Sequence, residues 1–332
     1  MPMSDVTVNA TFSQTDNPDN AYYLTIEDGI DISFLIDTEY YGAEDGYIEY
    51  EYIQTIYKEM ADRTDEPVAV SVESLTKHQS EDDYNNTAEL RLQAAPAQIG
   101  EKYLIKVFDK NGVKKAEFLR SVEDYCNEII NAYSNHPELL DVKYYNLSKT
   151  ILNYGQLANE YFEYAEKHKA INGVDDYTIT TIGDYQAEFA SSELEDINNN
   201  KTFNYTKGSK VSIIGVSYIA QLWPEFRFYI SGVTEEEFNN LNVSVTGGLR
   251  AEKVATVDQN DEPLYLISVT GLYANQFGKD FTLTIGDTTI DYNGYAYLYM
   301  VTMDSESTNS LKAMVRGVYR YAKACEAAFG NN

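Results

Sequence analysis

Three histidines, His78, His136 and His168, could in principle act as general acids, general bases or metal ligands. None of them belongs to an HExxH pair, in which two histidines one helical turn apart hold zinc. The chain also lacks a GxSxG nucleophile elbow and the glycine-rich GxxxxGK[ST] and GxGxxG phosphate loops. We therefore expect each histidine to be a solvated loop or helix-end residue, and we expect no metal-dependent hydrolysis.

Cys126 and Cys325 are the only cysteines of the chain. Each falls at an apolar position of a predicted helix, where free cysteine behaves as a small hydrophobic side chain. Two cysteines alone cannot form a metal knuckle, and neither has a histidine nearby in sequence. We expect two buried thiols, although a disulfide between them stays open from the residues alone.

Carboxylates are abundant, with 53 aspartates and glutamates in the chain. Glycoside hydrolysis needs only two carboxylates about 5–10 Å apart, so this abundance does not single out a catalytic pair. Calcium is the best cofactor candidate because it prefers hard oxygen ligands on loops. The acidic clusters DNPDN and DQNDE offer such ligands, although solvated turns explain them equally. The candidate calcium residues are Asp16, Asp19, Asp258 and Asp261.

The 30 tyrosines supply the candidate binding residues. An exposed aromatic ring can stack on a sugar face or anchor a protein interface. Tyrosines crowd the first strand-like segments, where Tyr40, Tyr41 and Tyr47 are the candidates for ligand binding. The single tryptophan, Trp223, is a further candidate as an exposed platform, and a buried plug is the alternative for it.

Composition excludes some classes of partner. The formal net charge is −28, which opposes binding to nucleic-acid phosphates and to anionic lipid. No apolar run approaches the ~18–20 residues that span a bilayer, so we expect no membrane insertion. The first residues lack the basic and apolar regions of a signal peptide, which fits an expression start on a mature domain or an intracellular protein.

The first half of the chain changes from a strand pattern to a helix pattern. Apolar residues alternate with period two in Ile30–Asp37, in Tyr47–Ile53 and in three later segments, as in half-buried strands. From Ser121 the apolar spacing becomes helical, and Ser121 with Asp124 forms a capping-box pattern. A second helix is predicted over Leu147–Phe162, with Tyr154 and Phe162 in its buried stripe.

The second half repeats this order of strands followed by two helices. The segment Ala95–Tyr103 aligns with Tyr273–Phe281 without a gap, and the closing helix Met314–Phe329 has the apolar rhythm of Leu147–Phe162. An internal duplication is the economical interpretation. We therefore predict an α+β fold of two tandem repeats, each an antiparallel β-sheet or small sandwich followed by two C-terminal helices.

Domain boundaries follow from this duplication. We predict a first β-rich repeat with a helix pair over residues 1–168 and a second over residues 210–332. Residues 169–209 are polar and are predicted to form a connector, with one edge strand in the segment DDYTITTI.

Several of these segments resemble a duplicated module of extracellular proteins from anaerobic gut and rumen Firmicutes. The resemblance rests on a small turn after a strand, on the starts of the helices and on an "lRfYf" segment. The matching residues are Ala94–Gln98, Ser121–Tyr125, Leu147–Phe162, Arg227 and Phe228. The second repeat departs from the pattern, with Arg320, Tyr321 and Ala322 where "nYG" is usual.

The resemblance implies an extracellular or cell-surface setting, because such modules often stand beside leucine-rich repeats or dockerins. It transfers no catalytic residue, and we expect no enzyme. The leading hypothesis is a non-catalytic surface module with an adhesion, scaffold or spacer role in a larger exported bacterial protein. The main alternative is a carbohydrate-binding module that uses surface tyrosines and calcium, and an unrecognised glycan-active enzyme is the third. Glycans or other surface proteins are the expected partners.

Overall fold

The computed structural model describes residues 7–8, 22–26, 29–52, 68–78, 87–164, 189–220, 224–258 and 263–330. The chain divides into two compact units, Met1–Ile182 (unit 1) and Gly183–Asn332 (unit 2). Both units combine antiparallel sheets with helices, so the predicted α+β class is confirmed.

The described part of unit 1 contains two antiparallel sheets. In chain order its described strands are β1 (Thr7–Val8), β2 (Tyr22–Ile26), β3 (Ile30–Asp37), β4 (Tyr47–Tyr52), β5 (Val68–Ser71), β6 (Thr76–His78), β7 (Thr87–Ala94), β8 (Tyr103–Phe108) and β9 (Lys114–Arg120). One sheet has the order β1-β2-β3-β7-β6 and the other has the order β5-β4-β8-β9. The core side chains alternate along the strands, as with Ile32 and Phe34 on β3 and Ile105 on β8. Phe34 and Phe118 bring the two sheets into contact, with ring centroids 5.8 Å apart.

Two helices follow the strands in the described part of unit 1, α1 (Val122–Asn135) and α2 (Val142–Tyr161). The predicted capping box of α1 is confirmed, since Ser121 accepts from the N–H of Asp124 and Asp124 accepts from the N–H of Ser121. Helix α2 packs against the short 3₁₀ helix Pro96–Gln98. The approach is so close that a Cβ on Gly155 would lie 2.3 Å from Cδ1 of Ile99. The contact therefore requires glycine at this position in its present geometry.

Unit 2 also contains two antiparallel sheets. Its described strands are β10 (Phe203–Thr206), β11 (Ser212–Ile219), β12 (Glu225–Ser231), β13 (Val243–Val245), β14 (Arg250–Val257), β15 (Pro263–Thr270), β16 (Phe281–Ile285) and β17 (Thr288–Tyr292). The sheet orders are β11-β12-β15-β14 and β10-β17-β16-β13. Phe226 on β12 lies 5.8 Å from the ring of Tyr292 on β17, so aromatic side chains of both sheets meet in the core.

Four helices of unit 2 lie within the described residues: α3 (Ser191–Asn200), α4 (Glu235–Asn240), α5 (Gly294–Met303) and α6 (Asn309–Phe329). The predicted burial of Tyr154 on α2 is confirmed, and Tyr321 on α6 is buried as well. The prediction that Phe162 belongs to the buried stripe was wrong, since Phe162 is half-buried and follows the last helical residue of α2, Tyr161. Phe329 is half-buried as well. No helix in the described part of the chain is long and apolar enough to cross a membrane.

Part of the stretch that the sequence assigns to a connector is regular structure. Residues Ser191–Asn200 form α3, and Phe203–Thr206 form β10, which pairs with β17. Their polarity explains the wrong assignment, because only Ile197 of α3 is buried and all four residues of β10 are exposed. The predicted edge strand DDYTITTI lies outside the described residues.

Candidate functional site

The loop between β3 and β4 brings two of the predicted binding tyrosines together, and we call residues 38–46 the tyrosine loop. The rings of Tyr40 and Tyr41 meet edge to face, with centroids 5.1 Å apart and planes at 84°. Tyr40 is 61% exposed, whereas Tyr41 is half-buried. The loop therefore presents one aromatic ring to solvent and supports it with a second.

Backbone hydrogen bonds define the conformation of the tyrosine loop. Asp37 accepts from the N–H of Tyr40 through its side chain at 2.9 Å, and from the N–H of Tyr41 through its carbonyl at 3.3 Å. The N–H of Ala43 donates to the carbonyl of Thr38 at 2.7 Å, which closes the loop. At the far end a Cβ on Gly46 would lie 2.0 Å from the carbonyl oxygen of Phe108, so only glycine fits there.

Tyr47, the third predicted binding tyrosine, begins β4 beside this loop. Its ring stacks on Phe108 of the neighbouring strand, with centroids 4.8 Å apart and planes at 7°. The two residues are direct cross-strand partners, which accounts for the contact. One face of the Tyr47 ring is thus covered by Phe108.

The surface around Tyr40 is acidic. Glu39, Glu44 and Asp45 are exposed, and Asp45 lies 4.0 Å from Lys110, an ion pair between two solvated side chains. An exposed ring with carboxylate acceptors nearby can stack on a sugar face and accept hydrogen bonds from its hydroxyl groups. The same arrangement can contact a protein surface.

The adjoining turn between β8 and β9 holds its own carboxylate in a structural role. Asp109 accepts from the N–H of Val113 at 3.0 Å and from the N–H of Asn111 at 2.8 Å, and it pairs with Lys115. These hydrogen bonds, first of all the one from Val113, hold the pKa of Asp109 below its ordinary value. Asp109 therefore shapes the turn.

The remaining predicted site residues are not brought together by the described structure. Asp16, Asp19, Asp261 and Trp223 lie outside the described residues. Asp258 follows the last residue of β14 and is half-buried. Within the described ranges, no group of three or more histidine, cysteine, aspartate or glutamate side chains is placed to hold a metal ion. The calcium hypothesis thus stays a prediction for these four aspartates.

Sequence reasoning missed a charged cluster in unit 2 that joins α3 to α6. Glu193 on α3 accepts from Nε of Arg316 at 2.9 Å and from Nε of Arg320 at 2.8 Å. The N–H of Ala190 donates to the same carboxylate at 2.8 Å. The residues are more than 120 positions apart in sequence, so local patterns could not reveal the pairing.

The electrostatics of this cluster favour its charged form. Burial by itself opposes ionisation of Glu193, but the hydrogen bond from Arg320, the N–H of Ala190 and the charges of both arginines outweigh it. The pKa of Glu193 is consequently lowered. One turn further along α3, Asp196 accepts from the hydroxyl of Tyr319 at 2.8 Å. The cluster stabilises the packing of α3 on α6.

A second polar group lies on the outer face of the sheet β11-β12-β15-β14. Arg227 and Ser268 both donate to Glu225, and the hydroxyls of Ser217 and Tyr229 are 3.1 Å apart. The alternation in EFRFYIS could have revealed this group, since it places Glu225, Arg227 and Tyr229 on one side of β12. In unit 1, Tyr23 on β2 and Ser33 on β3 both donate to Glu89 on β7, each at 2.7 Å.

The two cysteines are free and buried, as the sequence predicts. Burial raises the pKa of both the Cys126 thiol and the Cys325 thiol well above the ordinary value. A nucleophilic or metal-binding role would require the thiolate, which this environment disfavours. Both residues are therefore core side chains of α1 and α6. Of the histidines, His136 is an exposed residue at the end of α1, as expected for a helix-end histidine.

Comparison with known proteins adds no identification, because no family model and no curated protein matches the chain.

Proposed function

We propose that the chain is a non-catalytic module of an exported bacterial surface protein, with an adhesion, scaffold or spacer role, and that it consists of two repeats of one fold. The observation that carries the proposal is the matching strand order of the two units. The order β2-β3-β7-β6 in unit 1 corresponds to β11-β12-β15-β14 in unit 2, and β4-β8-β9 corresponds to β13-β16-β17. Repetition of a structural unit creates extended binding surfaces in repeat proteins, which supports a surface-presenting role here.

Local geometry supports the same correspondence. A 3₁₀ helix follows β7 at Pro96–Gln98, and another follows β15 at Ala274–Gln276. In both units the residue after this 3₁₀ helix uses its carbonyl to hold the first turn of the next long helix. The carbonyl of Ile99 accepts from the N–H of Glu123 at 2.9 Å, and the carbonyl of Phe277 accepts from the N–H of Gly294 at 2.9 Å.

The roles of the titratable side chains support a non-catalytic module. Glu193 and Glu225 bind arginines of their own unit, and Asp109 binds backbone N–H groups of its own turn. Both thiols are packed in helix interfaces with a raised pKa. Each of these side chains stabilises the fold in its present protonation state, whereas a catalytic acid or nucleophile needs access to a substrate.

A carbohydrate-binding module is the second candidate, and the exposure of Tyr40 favours it. The ring stands 61% exposed on a loop that is closed by backbone hydrogen bonds. A preorganised aromatic ring loses little entropy when it binds, which is why such residues carry much of the affinity at binding surfaces. In this alternative, Tyr40 stacks on a sugar ring and the nearby carboxylates accept from its hydroxyls.

One experiment separates these candidates. The full chain would be applied to a glycan array and to insoluble plant and mucin polysaccharides, with release of reducing ends measured in parallel. Tyr40→Ala would be compared with Phe203→Ala, which removes a ring that is 50% exposed on β10 in unit 2. The leading proposal predicts a folded chain without specific retention or turnover. Retention lost only in Tyr40→Ala would instead establish the carbohydrate-binding module, and turnover of any polysaccharide would overturn both.

A further inference from the structure

Strand β14 is an open edge of its sheet. It pairs with β15 at every position from Arg250 to Val257, and no other described strand pairs with its outer side. Seven of its eight residues are exposed. In an antiparallel edge strand every second residue directs its N–H and C=O away from the sheet. These groups form a row of donors and acceptors that matches one kind of partner, which is another extended strand.

The other long edges in the described part of the chain carry features that discourage pairing. Strand β9 begins with Lys114 and Lys115, and β11 is interrupted by a bulge between Ile213 and Gly215. Charged residues and bulges are common protections of edge strands. The remaining edge strands, β1, β5, β6, β10 and β13, have two to four residues each.

Strand β14 lacks these protections over its second half. Its register with β15 is continuous, and residues Val254–Val257 carry no charge. Val254 is 37% exposed and Val257 is 54% exposed. One charged residue of the first half, Lys253, is turned away from the edge, because its ammonium donates to the carbonyl of Asn239 at the end of α4 at 2.6 Å.

We propose that β14 pairs with β14 of a second copy of this chain, in an antiparallel register centred on Val254. The two-fold axis would run perpendicular to the sheet, so that both four-stranded sheets join into one. Such a contact is self-complementary and closed, as most homodimer interfaces are.

The charges of β14 disfavour the neighbouring centres, and a centre near either end of the strand would pair fewer of its residues. In a two-fold antiparallel pair, two residues that lie opposite each other must point to the same face of the joined sheet. The two-fold axis must therefore pass between a residue and its own copy, so the register is centred on a residue. A centre at Glu252 or Lys253 would place that charge opposite its own copy, and a centre at Ala255 would place Glu252 opposite Asp258. Like charges directly opposite destabilise a pair of strands.

A centre at Val254 removes these conflicts. Glu252 then faces Thr256 of the second copy, and Lys253 faces Ala255. Arg250 faces Asp258, which gives one pair of opposite charges at each end of the interface. The interface thus combines two symmetric charge pairs with a central contact between the two Val254 side chains.

Sedimentation velocity on the full chain tests this proposal, from low micromolar to several hundred micromolar protein. At an ionic strength of about 0.15 M the Debye length is about 8 Å, so the repulsion between two acidic copies is screened. The wild-type mass is expected to rise toward that of a dimer. Val254→Lys would place two ammonium groups opposite each other at the centre, and we expect it to weaken dimerisation about tenfold or more. The matched control, Ile214→Lys, adds the same charge at a 63% exposed residue of the opposite edge and should leave the dimer intact.

A charge exchange tests the register. Arg250→Asp alone and Asp258→Arg alone each oppose like charges and should weaken the dimer, whereas the double variant should restore it. Circular dichroism would show that each variant keeps its fold. A chain that stays monomeric at every concentration would overturn the proposal. The edge strand would then be open to pairing with a strand of another protein. A dimer that is unaffected by Val254→Lys, or single charge variants that the double variant does not rescue, would also overturn it.

Discussion

Arg316 donates to the carboxylate of Glu193 at 2.9 Å while its own side chain is only 2% exposed. A guanidinium removed from water is stable only when nearby groups replace its hydration. The pair connects α6 to α3, a helix with a single buried residue. This interaction therefore helps to hold α3 in its position in unit 2.

Replacing Arg316 should therefore destabilise the chain much more than replacing its neighbour. Arg316→Met leaves a largely buried carboxylate with one fewer cation, and we expect the free energy of unfolding to fall by about 2–4 kcal/mol. Arg320→Met removes a cation that is 35% exposed from the same carboxylate, with an expected loss of about 0–1 kcal/mol. Urea unfolding, followed by circular dichroism, measures both. Equal losses in the two variants would contradict the claim that the burial of Arg316 makes its loss the more costly one.

Unit 2 should become less stable in acid, because Glu193 becomes protonated. Its pKa is lowered in the folded chain, so the stabilising contribution is present above the ordinary glutamate pKa of about 4.3 and is lost as pH falls through the folded value. Glu193→Gln should be less stable than wild type at neutral pH, and the difference should shrink as the pH is lowered below about 4. Thermal unfolding across this range provides the measurement, and a difference that does not depend on pH would argue against a charged Glu193.

Unit 2 should also become less stable in alkali, because the buried tyrosines around the same helices become ionised. Burial, followed by the neighbouring Glu326, raises the pKa of Tyr295, and burial with the hydrogen bond to Asp196 raises that of Tyr319. A raised folded pKa means that the stabilising contribution is complete below the ordinary value of about 10 and is lost as pH rises above it. Tyrosinate absorbance should therefore appear in two phases, with the late phase coinciding with unfolding. Tyr295→Phe should diminish that phase, and a wild-type titration in a single early phase would refute the burial of these rings.

The contact of α2 with the 3₁₀ helix predicts an unusual cost for alanine. In a helix interior Gly→Ala ordinarily stabilises by about 1 kcal/mol. At Gly155 the new Cβ would lie 2.3 Å from Cδ1 of Ile99 and 3.0 Å from the carbonyl oxygen of Pro96. We expect Gly155→Ala to destabilise by about 1–3 kcal/mol, as overpacking does. Chemical denaturation would measure the change.

The same contact offers a rescue experiment. Ile99→Ala removes the two side-chain atoms that lie closest to the new methyl group, although it leaves a cavity of its own. The double variant should therefore lose less stability than the sum of the two single variants, since the residues are in contact. Strictly additive losses would show that α2 does not approach Ile99 this closely.

Much of this fold could be predicted where one face of an element is buried. The strand Ile30–Asp37 occurs with the predicted bounds, because apolar and polar residues alternate along it. Helix α2 was predicted to begin at Leu147 but begins at Val142. Its first turn lies outside the apolar stripe, and only the cap at Asp141 marks it.

Other elements could not be predicted because their partners are distant. Strand β14 is exposed on both faces, so it lacks the alternation that identifies a strand, and only pairing with β15 defines it. Helix α3 is polar and depends on arginines more than 120 residues away. At the candidate site, the sequence indicated Tyr40 and Tyr41 as candidates, but only the structure distinguishes the exposed ring from its support.

The central claim, that two units of matching topology stand in tandem, is tested most directly by expressing residues 1–182 and 183–332 separately. Each fragment contains both sheets and the helix pair of its unit. We predict that each unfolds cooperatively in urea and that the two transitions together reproduce the unfolding curve of the whole chain. Fragments that remain unfolded alone, yet fold when joined, would show that the two halves share one core and would contradict the account.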